Sequence, residues 1–155
     1  MHRCRGDYMS FDFDEKTVAE LEKLLRYISE NLKQRGREIL TQYPITPPQF
    51  VALQWLLEEG DLTIGELSNK MYLACSTTTD LVDRMEKNGL IARVKDQHDR
   101  RVVRIHLLEK GERIIDEVIK KRQHDLAQVL QSFSDEEIVF LEKCLRKLHQ
   151  EMKKE

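Results

Sequence analysis

The chain has 155 residues, of which 40% are apolar and 35% charged, with six Gly, three Pro and a formal net charge of −2. That length can bury a core, and the composition excludes a collagenous, low-complexity or disulfide-stapled chain. No uncharged apolar run approaches the roughly 18 to 20 residues that cross a bilayer, and the opening MHRCRGDYMS lacks an apolar signal core, so a soluble cytoplasmic protein with no membrane partner is expected.

Residues 1–13 are expected to form a flexible N-terminal tail. From about Asp14 to Tyr43, Val18, Leu21, Leu25, Ile28 and Leu32 recur at alternating three and four spacing, which predicts an amphipathic helix with a heptad-like seam. Thr46-Pro47-Pro48-Gln49 supplies a cap, a proline at the first helical position and a reciprocating Gln, ahead of the apolar Phe50, Val51, Leu53, Leu56 and Leu57. Gly60 suits the left-handed position that ends this second helix. Thr63 and Glu66 form a further capping box for a helix of about two turns carrying Ile64, Leu67 and Met71. Ser76 is placed to cap the next helix, which turns Leu81, Val82 and Met85 inward and ends at Lys87-Asn88-Gly89. Two short helices about a tight turn read as a helix-turn-helix.

At Leu90 the period changes to alternation. Ile91–Lys95, a polar tip Asp96–Arg100, and Arg101–Leu107 predict a β-hairpin. The remainder is helical, with Ile114, Ile115, Val118, Ile119, Leu126, Val129 and Leu130 in one segment. A capping box at Ser134 and Glu137 opens the last helix, with Ile138, Leu141, Leu145, Leu148 and Met152 on its seam. The expected fold is mainly α with a small β-hairpin wing. A winged helix-turn-helix over residues 46–108 lies between an N-terminal dimerisation helix, 14–45, and C-terminal dimerisation helices, 109–155. These terminal helices present more apolar surface than a small winged domain can cover, and pairing two chains would bury it.

The net charge conceals an asymmetry. Between Arg84 and Arg104 seven basic residues face three acidic ones, which leaves the rest of the chain at about −6 and makes the hairpin side electropositive.

Thr46-Pro47-Pro48-Gln49-Phe50, Ser76 and Thr79 with Leu81 to Ile91, Asp99-Arg100-Arg101 and Leu108-Glu109-Lys110-Gly111 occur in order and at spacings that resemble the MarR family of bacterial transcriptional regulators. The resemblance implies a homodimer on a pseudo-palindromic operator in double-stranded DNA. It further implies a sequence-specific regulator, usually a repressor of nearby genes, released by a small-molecule inducer or an oxidant. Ser76, Thr77, Thr78 and Thr79 would open the recognition helix, where short hydroxyls and free N–H groups reach phosphates and base edges. Arg84 would reach a phosphate or guanine, or else belong with Asp83 to a solvated face or a surface ion pair worth little. Arg101 would enter a narrow minor groove, oriented by Asp99, with Arg100 on the backbone.

Two positions depart from the family pattern. Asp80 stands where many relatives have a basic or neutral residue, and repels phosphate unless it pairs with Arg84 or accepts from cytosine N4. Leu108 replaces the Thr that would cap the fifth helix.

Cys75, just before the expected recognition helix, is read either as an inert thiol or as a redox switch. Cys4 reads as a tail thiol and Cys144 as core. The five His are dispersed, and no nucleophile elbow, phosphate loop or zinc motif occurs, so no catalytic site, metal or cofactor is expected. The competing class is a winged-helix protein-interaction adaptor without specific DNA binding.

Overall fold

The computed structural model describes residues 14–154. The tail assigned to residues 1–13, with Cys4, lies outside them. Two compact units divide the chain, up to Arg37 and from Glu38 onward.

The first unit is nearly all of α1 (Glu15–Leu40). The Asp14 carboxylate accepts from the Lys16 N–H at 3.1 Å, and Glu22 holds Arg26 through two hydrogen bonds of 3.0 and 3.2 Å one turn along. The seam residues Val18, Leu21, Leu25, Ile28 and Leu32 are all exposed, together with Leu24.

The second unit holds the core. In α2 (Pro47–Glu59) both halves of the capping box form, Gln49 N–H to Thr46 Oγ1 at 3.4 Å and Thr46 N–H to Gln49 Oε1 at 3.1 Å. Gly60 takes φ +81 and ψ −155, an extended positive-φ conformation that only glycine holds easily, and turns the chain into β1 (Leu62–Thr63). This two-residue strand escapes a reading by periodicity. α3 (Ile64–Met71) follows, and only half of its expected box forms. Thr63 accepts from the Glu66 N–H at 3.1 Å, while the Glu66 carboxylate lies 3.7 Å from Arg104. α4 (Cys75–Lys87) is closed by Gly89 at φ +74, with Leu90 N–H bonded to Met85 O at 3.0 Å.

β2 (Ile91–Lys95) and β3 (Val103–Leu107) form the antiparallel hairpin, pairing Ile91 with Leu107 and Lys95 with Val103. β1 adds to the other edge of β3, through Leu62 with Ile105 and Thr63 with Arg104, so the sheet order is β1-β3-β2. The wing is therefore tied back to the helix-turn-helix through β1, on the edge of β3 away from β2. Its turn extends two residues beyond the expected tip, because Asp96 N–H bonds to Val102 O at 2.9 Å and Val102 N–H to Asp99 O at 3.0 Å.

α5 (Glu109–Val129) starts at Leu108 without a side-chain cap, the consequence expected of leucine there. A 3-10 turn (Leu130–Ser132) leads to α6 (Asp135–Met152), where Ser134 and Glu137 complete a full capping box. Leu53, Leu67, Val82, Met85, Leu90, Ile91, Ile105, Ile115 and Val118 are almost wholly buried and join α2 through α5 into one core. α6 contributes nothing to it. None of its residues is buried within one chain, and Cys144, expected in the core, is exposed. Leu126 and Val129 on α5 are exposed as well.

Candidate nucleic-acid interface

α4 begins earlier than the run of hydroxyls suggests. Ala74 occupies the capping position with no side-chain bond, so Ser76 is the second helical residue and not the cap. The first intrahelical bond is Thr78 N–H to Ala74 O at 3.0 Å. The N–H groups of the preceding turn therefore point outward, with the positive end of the helix dipole behind them. Ser76 and Thr77 are exposed, and their hydroxyls meet no protein partner among the described residues.

Thr78 corrects the expectation. It is fully buried, beside Val82 and Met85, and its hydroxyl donates to Ala74 O at 3.1 Å, so it supports the helix from inside and cannot reach a ligand. Thr79 is half-buried and donates to Cys75 O at 2.9 Å, which leaves it at the margin of the outward face. Cys75 is exposed in the first turn.

The basic residues divide into two groups that the sequence does not distinguish. Arg93 on β2 is held by two carboxylates of α4: Nη1 donates to Glu86 at 2.8 Å and Nη2 to Asp83, and the Arg93 backbone N–H bonds Glu86 at 3.0 Å. Asp83 is thus committed to the strand and not to Arg84. Arg104 on β3 donates to Asp96 at 2.6 Å. These two guanidiniums fix the wing to α4 and to its own tip. Arg84, Lys87, Lys95 and Arg100 are exposed and have no ion-pair partner among the described residues.

At the wing tip the Arg101 side chain is 90% exposed and, among the described residues, is bound only by Asp99. Nε and Nη2 lie 3.1 and 3.2 Å from the carboxylate, and the Arg101 N–H bonds the same group at 3.1 Å. The Asp99–Arg101 orientation expected from the sequence is thus present, and the Asp99 carboxyl is held below its ordinary range chiefly by the Arg101 side chain.

The turn is organised by Asp96. Its carboxylate takes the Arg104 guanidinium and the N–H groups of His98 (2.8 Å) and Asp99 (3.1 Å), in that order of influence, which lowers its pKa from 3.8 to about 2. A carboxyl depressed on folding contributes stability that is complete above the unfolded pKa and is lost as pH falls through the folded one. The tip should therefore keep one structure from neutral pH down to about 4 and loosen between about pH 4 and 2. An NMR titration would follow the His98 and Asp99 amides through that window. A transition centred near 3.8 would contradict the Arg104 pairing.

Tyr72 adds a feature that the sequence pattern does not mark. This residue ends α3 in the left-handed region, φ +54 and ψ 40, and is 95% exposed. Leu73 N–H bonds Ser68 O at 3.0 Å across it, a helix stop normally supplied by glycine. An aromatic side chain in that conformation is retained at a cost of about 1 kcal/mol or more. It stands three residues ahead of α4, and the only signal in the sequence was a large aromatic where a tight turn was expected.

No group of three His, Cys, Asp or Glu among the described residues is placed to hold a metal, and no described helix is long and apolar enough to cross a membrane.

Three comparisons place this geometry among known proteins. The model of the MarR family matches residues 45–103, which run from the end of the α1–α2 loop to the start of β3. A Bacillus subtilis (strain 168) protein named an uncharacterized HTH-type transcriptional regulator, YsmB, is 69% identical over 137 residues, covering 88% of this chain and 94% of that one. The solved structure of a MarR family protein from Bacillus stearothermophilus is 83% identical with a TM-score of 0.88, covering 92% of this chain and 99% of that one. Streptococcus pneumoniae FabT, solved in complex with DNA, shares the fold at 24% identity and a TM-score of 0.74 over 87% of this chain and 96% of that one.

Proposed function

The chain belongs to the MarR family of helix-turn-helix transcriptional regulators, and from that premise we propose that two copies bind a pseudo-palindromic operator and repress nearby genes until a small ligand or an oxidant releases them. One observation carries the reading. Arg84 and Lys87 in the last turn of α4, and Lys95, Arg100 and Arg101 on the wing, are exposed, while the other two basic residues of the region, Arg93 and Arg104, are used internally to hold wing and helix together. A surface that pairs its cations where rigidity is needed and leaves the rest exposed is suited to neutralising phosphates.

The second copy is supported by exposure. α1 presents a solvent-facing stripe over six apolar residues, and α6 presents Phe140, Leu145, Leu148 and Met152. Within one chain no residue of α6 is buried and only Ile138 and Leu141 are half-buried, so a second copy would supply most of the packing that stabilises such a helix. In a two-fold dimer two recognition helices meet half-sites about 10 base pairs apart. The interface set is then Ser76, Thr77, Thr79, Asp80, Arg84, Arg100 and Arg101, with Asp99 orienting Arg101 and Thr78 withdrawn.

The expected result for Arg101→Ala is DNA binding weaker by about 1 to 3 kcal/mol with an unchanged melting temperature, since the Arg101 side chain is 90% exposed and its one ion pair among the described residues is with Asp99. Fluorescence anisotropy on an operator duplex measures it. Unchanged affinity would remove the wing tip from the interface.

A further inference from the structure

We propose that Asp80 reads a cytosine in each half of the operator, an inference that rests on the DNA-binding reading of α4. That helix carries three carboxylates. Asp83 and Glu86 are both taken by Arg93, whereas Asp80 is exposed and has no cation beside it among the described residues, Arg84 one turn on included. The ion pair that would have made Asp80 an ordinary surface residue is absent.

Its position on the helix is the second argument. At about 100° per residue, Asp80 falls with Ser76, Arg84 and Lys87 on the side opposite the buried Thr78, Val82 and Met85. Asp80 is in the second turn, within the N-terminal stretch of a recognition helix that meets base edges. A bare carboxylate there faces phosphates on both walls of the groove and is repelled unless a donor meets it.

The major groove has two such donors, the N4 amino group of cytosine and the N6 amino group of adenine. A carboxylate only accepts. Beside the adenine amino group lies N7, an acceptor that would oppose the second carboxylate oxygen. Beside the cytosine amino group lies a C–H. One carboxylate oxygen can then accept from the free N4–H of cytosine while the other meets that C–H, so cytosine is the base that sets no acceptor of its own against the carboxylate. Every register lacking an amino group at that point meets an unpaired charge, so Asp80 lowers general affinity for DNA while raising discrimination.

The test is selection from a randomised duplex pool with the full-length protein, Asp80→Ala and Asp80→Asn. Matched thermal melts establish folding, which substitution of an exposed side chain should preserve. The wild type should enrich a motif with cytosine at one symmetry-related pair of positions. Asp80→Ala should keep the rest of the motif and its spacing but lose that preference, on the order of tenfold or more in discrimination, while binding unrelated duplex more tightly. Asp80→Asn should move the preference toward adenine, whose N6 and N7 match an amide. An Asp80→Ala protein that selects the wild-type motif with its cytosines intact overturns the inference and leaves operator binding standing. A wild type that enriches no motif overturns both.

Discussion

Gly111→Ala is expected to destabilise the chain by about 2 to 4 kcal/mol, although alanine is the better helix former by about 1 kcal/mol. Gly111 lies in the first turn of α5, where a Cβ would come 2.4 Å from Leu90 O, 2.9 Å from Leu107 Cδ1 and 3.2 Å from Leu53 Cδ2. The two leucine side chains can yield a little. Leu90 O cannot, because it accepts the Leu108 N–H at 3.0 Å and so ties the start of α5 to the strand that follows α4. Moving it breaks that bond and shifts α5 against a core in which Leu53, Leu90 and Ile115 are almost fully buried. Thermal unfolding should show a melting temperature lower by roughly 5 to 15 °C. A rise of a few degrees, which propensity alone predicts, would mean that α5 does not approach the wing as closely as described.

The second large effect concerns assembly. Leu145→Glu alters a side chain that is half exposed in one chain, so the isolated subunit should tolerate it. In a two-fold interface each substitution occurs twice and places a charge where leucine was buried. Losing about 2 kcal/mol of burial at each copy weakens the dimer by roughly a thousandfold, before any cost of desolvating the carboxylates. Sedimentation equilibrium should show monomers at concentrations where the wild type is dimeric, and operator affinity should fall with it because two recognition helices are no longer held at one spacing. A Leu145→Glu protein that sediments as the wild type does would take α6 out of the dimer contact.

Local chemistry was the most legible part of the sequence. The boxes at Thr46 and Ser134, the stop at Gly89 and the missing cap at Leu108 each depend on residues within a few positions, and all are present as read. Alternation likewise located β2 and β3, where Ile91 and Ile105 are buried in the core. Relations between distant segments were not legible. Arg93 finds Asp83 and Glu86 across a helix and a strand, so a tally of charges counted it as available. Thr63 serves both β1 and the cap of α3, and Glu66 turns to Arg104. Thr78 was recoverable, since with Leu81, Val82 and Met85 it completes the inward i, i+3, i+4, i+7 face, but four consecutive hydroxyl residues offer no contrast by which one is singled out. Cys144 was placed in a core because its neighbours are apolar. On the proposed dimer, covering that helix takes a second molecule, which one chain's sequence does not contain.

Operator binding is measured on a labelled duplex from upstream of the protein's own gene, by anisotropy over a salt series with excess competitor DNA. The expected result is saturable, competitor-resistant binding at two chains per site, with log K falling linearly in log salt by about 0.9 per phosphate neutralised. Binding that is insensitive to salt, or competed away equally by any duplex, would contradict it and favour a winged helix that docks on protein.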